Sequence, residues 1–295
     1  MKKIPILLLL WCSSSFILAQ DWDAVEIETI QVADGVYMLQ GSGGNIGVMV
    51  GDDGVIMVDN QYAPLASKIK AAISKISDGP IKYVVNTHWH FDHVGGNEVF
   101  GAEGSILIAH NNVRTRVSSD QFMAHQQREV PASPEVAWPI VTFSEDLTYY
   151  FNDEEIVIHH SPPAHTDGDA VVYFKKANVI HMGDTYVRYG YPFIDISAGG
   201  SVIGMIANLN KVIGMINKDT KVIPGHGELA GRSDMILFRD TLKDIVDRVK
   251  AGILQGKSLD EIQSSDITSE YDKEWDQGFI KSRDFIVFVY ESLKK

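Results

Sequence analysis

The chain has 295 residues, 45% hydrophobic and 22% charged, the proportions of an ordinary globular protein of one large domain or two small ones. Its formal net charge of −13 argues against a nucleic-acid partner, because phosphate binding needs a basic surface. The first nineteen residues read as an export signal. Lys2-Lys3 give a positive start, Ile4 to Leu18 an apolar stretch short for a membrane span, and Ala19 a small residue at the cleavage point. The expected product is a periplasmic or secreted protein, residues 20–295, with no stable membrane insertion. Cys12 is the single cysteine and leaves with the signal, so the mature chain holds neither a disulfide nor a thiolate ligand.

Ile30 to Leu39 reads as two strands turning at Asp34-Gly35, and Ile46 to Val50 and Val55 to Val58 as two more turning at Asp52-Asp53-Gly54. Pro64 suits a first helical turn, and Leu65, Ile69, Ala72, Ile73 and Ile76 recur at helical spacing until Gly79-Pro80. Ile81 to Val85 is then a buried strand, and a helix can start at Asn97. After a strand at Ser105 to Ala109, the reading gives a helix over Asn111 to Gln127 and an irregular loop containing Pro131, Pro134, Trp138 and Pro139. A hairpin follows around Asn152-Asp153, then strands at Val171 to Phe174 and Val179 to Met182. Ser201 caps a helix to about Asn217, Val222 to Pro224 is a last strand, and amphipathic helices cover Asp234 to Gln255 and Phe279 to Leu293. Two batches of strands, each ending in helices, predict two sheets packed face to face with helices outside.

The chemistry centres on Thr87-His88-Trp89-His90-Phe91-Asp92-His93, directly after the strand at Ile81 to Val85. Side chains two apart in an extended segment point the same way, so His88 and His90 can reach one metal ion. Asp92 and His93 lie past the bend and can address a second. Imidazole and carboxylate suit zinc, and iron or manganese also fit. Later chemistry-bearing residues sit where strands end: His165 in Pro163-Ala164-His165-Thr166-Asp167-Gly168-Asp169, Asp184 in Met182-Gly183-Asp184, and His226 in Pro224-Gly225-His226-Gly227.

These stretches resemble the metallo-β-lactamase superfamily over nearly all the mature chain. His88-x-His90-x-Asp92-His93 matches its signature, and His165, Asp184 and His226 match its later metal positions in order. The resemblance implies an α+β four-layer αβ/βα sandwich of two mixed sheets and two zinc ions per chain. It places His88, His90 and His165 on the first ion, Asp92, His93 and His226 on the second, and Asp184 between them, with Asp59 as a supporting acid. Segment His165 to Tyr173 is similar to secreted class B β-lactamases. Asp184 stands where the best-known of those carry cysteine, and His93 is an addition, so the metal set is like that of hydroxyacylglutathione hydrolase and the lactonases.

The implied activity is hydrolysis of an amide or ester in a small molecule. Hydroxide from a metal-held water attacks the carbonyl, with Asp92 and Asp184 as the catalytic carboxylates. A lactonase or thioesterase, an iron-dependent oxygenase, and a non-catalytic zinc-binding module are the alternatives. Tyr186, Arg188, Tyr189, Tyr191 and Phe193 follow the bridging acid as an aromatic loop with one cation. Tyr186, Arg188, Tyr191 and Phe193 are candidate contacts to an apolar substrate carrying a carboxylate. His181, three residues before Asp184, is a candidate supporting residue. His110 reads as a hydrogen-bonding helix end, and His159 and His160 as structural.

Overall fold

A computed structural model describes residues 20–294. The export segment, Met1 to Ala19, lies outside the described residues. The first sheet begins as a meander of β1 (Glu28–Ala33), β2 (Val36–Gln40), β3 (Ile46–Gly51) and β4 (Gly54–Val58), all antiparallel. The turns fall at Asp34-Gly35 and Asp52-Asp53, as their residue types predict. After helix α1 (Ala66–Ile73) the direction changes: β5 (Ile81–Val85) runs parallel to β4, and β6 (Ile106–His110) parallel to β5. Two short helices, α2 (Phe91–Val94) and α3 (Asn97–Ala102), fill the β5–β6 crossover.

The next stretch departs from the sequence reading. The helix that begins at Asn111 is α4 (Asn111–Val117) and stops ten residues early. Ser118 and Ser119 turn their hydroxyls back onto the Thr115 carbonyl, competing for the helix's own acceptors. The chain then forms a separate antiparallel hairpin, β7 (Gln121–Met123) and β8 (Arg128–Val130), with Gln127 at positive φ in its turn. Met123 is buried in the large helical core, and that tertiary burial overrides the helical propensity of the run. The proline-bordered loop follows, and β9 (Val141–Phe143) completes the seven-stranded sheet beside β6.

The second sheet has six strands: β10 (Asp146–Phe151), β11 (Glu154–His160), β12 (Ala170–Phe174), β13 (Val179–His181), β14 (Lys221–Ile223) and β15 (Ala230–Gly231). Only its β13–β14 pair is parallel, joined through α5 (Val202–Met215). Ser201 accepts the Gly204 amide and caps that helix. Helices α6 (Arg232–Leu254), α7 (Leu259–Gln263), α8 (Ser269–Trp275) and α9 (Ser282–Lys294) close the chain.

Period-two alternation builds the layers. Val36, Met38, Ile56, Val58, Val85 and Ile108 face across to Ile156, Ile158, Val172, Phe174 and Ile223, which makes the core between the sheets. Their alternates Leu39, Val55, Met57, Val84 and Leu107 pack outward on Leu65, Ile69 and Phe100. On the other side Val171, Ile180 and Val222 pack on Met205, Leu209, Leu242 and Phe285. The order is helices, sheet, sheet, helices, the expected four-layer α+β sandwich. Each of these aliphatic side chains contributes about 1.5–3 kcal/mol by leaving water. Among the described residues no helix is long and apolar enough to cross a membrane.

Candidate metal centre

Strand ends from both sheets meet along one edge. β5 delivers His88, His90, Asp92 and His93; the β11–β12 connection delivers His165; the turns after β13 and β14 deliver Asp184 and His226. Three groups of ligand atoms lie within 4.8 Å of one another: His88, His90 and His165; His88, His93 and Asp184; Asp92, His93 and His226. His88 belongs to the first two and His93 to the last two, so the groups form one continuous cluster.

Glycines make this convergence sterically possible. Gly183 has φ +48°, and a Cβ there would stand 2.6 Å from Thr87 Cβ, so the Asp184 turn could not lie against the His88 strand end. A Cβ at Gly44 would collide with the His93 imidazole.

Neighbouring groups aim the ligand atoms. His93 Nδ1 donates to Asp59 Oδ2 at 2.7 Å, which leaves Nε2 facing the cluster. Asp59 also accepts the Thr87 amide and hydroxyl, both at 2.7 Å, and sits at φ +63° to do so. His165 Nδ1 donates to the Phe193 carbonyl at 2.7 Å, again freeing Nε2. His90 is turned the other way: its Nε2 lies 3.0 Å from Asp195 Oδ2 and its Nδ1 faces His165 Nε2 at 2.8 Å. Asp195 escaped the sequence reading because it stands alone after an aromatic loop, with no motif around it. His181 is buried beneath the site, donating Nε2–H to the Asn45 carbonyl and accepting the Gly183 amide at Nδ1. It therefore supports the turn that carries Asp184.

The electrostatics suit a cation. Burial, reinforced by the neighbouring His93 and His165, holds His88 well below the usual histidine range, and burial beside His90 lowers His165 to about 4. Both rings are neutral and present lone pairs. Burial would raise the carboxyls of Asp92 and Asp184, but the facing imidazoles of His93 and His226 outweigh it, so both are anionic; Asp92 titrates at about 2. His88 Nε2 and Asp184 Oδ1 are buried with no hydrogen-bond partner. His93 Nε2 lies 3.2 Å from that oxygen, an ion pair when the ring is protonated in the metal-free protein. Two buried atoms of ligand type without a hydrogen-bond partner, on residues whose ligand atoms group with His93 within 4.8 Å, fit a metal site.

A cavity of about 530 Å³ opens over the cluster. His90, Asp92, Asp184 and His226 form its floor. Tyr62, Phe91, Met123, Tyr189, Phe193 and Phe279 line its walls, with the Gln126 amide among them. Of the candidate contacts in the aromatic loop, Phe193 does face this space, stacked on His90 at 5.7 Å. Tyr186, Arg188 and Tyr191 do not. Tyr186 is buried edge-on against Phe238, and Tyr191 is fully buried, stacked on Phe285 with its hydroxyl donating to Asp272 at 2.8 Å. Arg188 faces a neighbouring cavity beside Asp234 and Trp275. Tyr189 and the hairpin residues Met123 and Gln126 take their place.

Other histidines have local partners. His110 caps α4 by accepting the Asn112 amide and stacks flat on His160 at 3.8 Å, while His159 faces Asp146. His125, in the hairpin turn, packs on Phe193 and Phe288 behind the cavity wall.

Comparison with known proteins now decides the family. The metallo-beta-lactamase superfamily model matches residues 39–228, well over half the chain. The chain belongs to the metallo-beta-lactamase superfamily. It is 26% identical over 212 residues to the 2,4-dinitroanisole O-demethylase subunit alpha of Nocardioides sp. (strain JS1661), covering 69% of this chain and 60% of that protein. It is 29% identical over 177 residues to a hydroxyacylglutathione hydrolase of Pelagibacter ubique, covering 59% of this chain and 64% of that protein. The chain thus spans less than two thirds of the length of either relative. Among solved structures, a metallo-beta-lactamase from Pontibacter korlensis superposes with a TM-score of 0.60 at 17% identity, covering 74% of this chain and all of that one. That likeness shows the shared superfamily fold.

Proposed function

We propose that this protein is an exported, dinuclear zinc hydrolase of acyl compounds, cleaving an ester, thioester or amide of a small molecule. The continuous cluster of three ligand groups, with His88 Nε2 and Asp184 Oδ1 buried in it and without a hydrogen-bond partner, carries the reading. His88, His90 and His165 would hold one ion, Asp92, His93 and His226 the other, and Asp184 would face both. When bound, such a metal pair supplies an acidified water and stabilises the negative charge that develops on a carbonyl oxygen.

The chain's own residues do the rest. Asp59, Asp195, Thr87 and the Phe193 carbonyl fix the orientations of His93, His90, His88 and His165, so little reorganisation is needed during turnover. Asp92 lines the cavity with its side chain 20% exposed and can accept a proton from an attacking water and return it to the leaving group. The aromatic walls exclude bulk water and hold an apolar acyl or leaving group.

An ester or thioester is favoured over a β-lactam because the ligand set has an aspartate at 184, the additional His93, and no cysteine beyond Cys12. Similarity to a hydroxyacylglutathione hydrolase supports the same choice. Export rests on Lys2 to Ala19 alone. The test is metal analysis of the purified protein beside a panel of thioesters, esters, lactones and β-lactams. Metal-dependent turnover of an acyl substrate is expected. A fully loaded protein that turns over none of the four classes would end the hydrolase reading.

A further inference from the structure

The β7–β8 hairpin adds something that the cluster does not explain. It carries Met123 and Gln126 into the cavity wall, and its second strand opens with Arg128, paired opposite Met123. The Arg128 guanidinium lies 3.9 Å over the ring of Phe91, another wall residue. It is exposed, and it makes no ion pair with any described residue. Arg116, Arg188, Arg239 and Arg248 each face a carboxylate. Arg114 and Arg232 also lack a carboxylate but are held by the Pro139 and Ile213 carbonyls, whereas Arg128 lies on Phe91 and two residues from Gln126, both of which line the cavity. A guanidinium laid on an aromatic face keeps its planar edge free for a bidentate anion.

We infer that Arg128 is the anion-recognising residue of this cavity, and that the substrate joins an aromatic or alkyl arm to a separate anionic group, a carboxylate or sulfonate, held at the mouth. The inference rests on the reading of the cavity as the substrate site of an acyl hydrolase. It replaces Arg188, whose guanidinium is turned to another cavity and to Asp234. The arm lies among Met123, Phe193 and Phe279, whose surfaces are apolar and, for Phe279, largely open at the entrance. The contact with Phe91, worth about 0.5–1 kcal/mol at an exposed site, biases the guanidinium toward this position. Swapping this hairpin would exchange specificity without touching the ligand cluster.

Binding of two fluorescent probes to the metal-loaded protein tests this without any turnover, so its outcome is independent of the hydrolase assay. One probe is anilinonaphthalene sulfonate; the other is phenylnaphthylamine, the same ring system without the sulfonate. Arg128→Gln should weaken the sulfonate probe about tenfold, the loss of one charge-assisted contact, and leave the neutral probe within about twofold. Arg128→Lys should recover part of the sulfonate affinity, because it keeps the charge but not the fork. Phe279→Ser should weaken both probes, placing them in this cavity. Equal weakening of both probes by Arg128→Gln would make the residue a packing element and overturn the inference. So would a sulfonate affinity indifferent to Arg128→Gln or to Phe279→Ser.

Discussion

Asp59 and His93 form a fully buried pair, the carboxylate accepting the imidazole Nδ1–H at 2.7 Å. Asp59 reaches this position at φ +63°, a conformation that asparagine also tolerates. Asp59→Asn therefore keeps the backbone while removing the charge that fixes the His93 tautomer. The expected result is a loss of metal affinity of about 10–100-fold, confined to the half of the site that His93 serves. Competition against a graded series of chelators measures it. Unaltered retention of all bound metal would remove Asp59 from the supporting role.

Loading the site should release protons. Burial alone would lower His226, but the carboxylates of Asp184 and Asp92 overcome it and raise the ring to about 9. His93 is likewise raised well above the usual range, burial being outweighed by Asp184, Asp92 and Asp59. Both rings are therefore imidazolium at neutral pH in the metal-free protein, and a metal ion must displace the second ring proton. Apparent affinity should rise with pH up to about 9, the value at which His226 deprotonates unaided. In the metal-free fold the sign for stability is the opposite: the raised pKa stabilises fully below 6.5, and that stabilisation is lost as pH rises through about 9. Calorimetric titration of zinc in two buffers of different ionisation enthalpy reads the protons directly. Identical heats in both buffers would contradict the charge state argued here.

The two parts of the aromatic loop should separate in a stability and kinetics assay. Tyr191→Ala opens a cavity between Phe285 and Trp275 and strands Asp272, so it should cost about 3–5 kcal/mol of stability with little direct effect on substrate affinity. Phe193→Ala removes a cavity wall and should raise KM more than it lowers kcat. Denaturant melts and steady-state kinetics on both variants check the division. A raised KM for Tyr191→Ala in a stable protein would return that ring to the substrate site.

Local patterns were legible where local chemistry decides structure. Asp34-Gly35 and Asn152-Asp153 demand tight turns, and the strands on either side pair as those turns require. His88 to His93 announced itself because four ligand-type side chains crowd six positions. Arg128, Asp195 and the hairpin were invisible for a common reason: each acquires its role from a partner far along the chain. Asp195 is 105 residues from His90, and Arg128 meets Phe91 only because the hairpin folds back over the cavity. The aromatic loop misled for a related reason. Its residues alternate between two cavities and a helical core, a division set by α6, α8 and α9 and absent from the spacing of the loop itself.

Asp184 gives the sharpest test of the cluster as one unit. Its Oδ1 lies 3.2 Å from His93 Nε2, and its Oδ2 lies 3.4 Å from His226 Nε2 and 3.7 Å from His165 Nε2, so one carboxylate faces ligands of both proposed ions. Gly225 closes over it so tightly that a Cβ there would collide with Oδ1. Asp184→Ala should lower occupancy of the second ion and cut turnover by about two orders of magnitude or more, the scale of losing a main electrostatic element of a site. The fold should survive, because the residue sits on a turn after β13 and not between the sheets. Asp184→Cys should restore zinc content, since thiolate is a strong zinc ligand, while turnover depends on whether sulfur fits beneath Gly225. Elemental analysis and kinetics on the same preparations decide the matter. If Asp184→Ala kept two zinc ions per chain and near-normal hydrolysis, the dinuclear reading would fail.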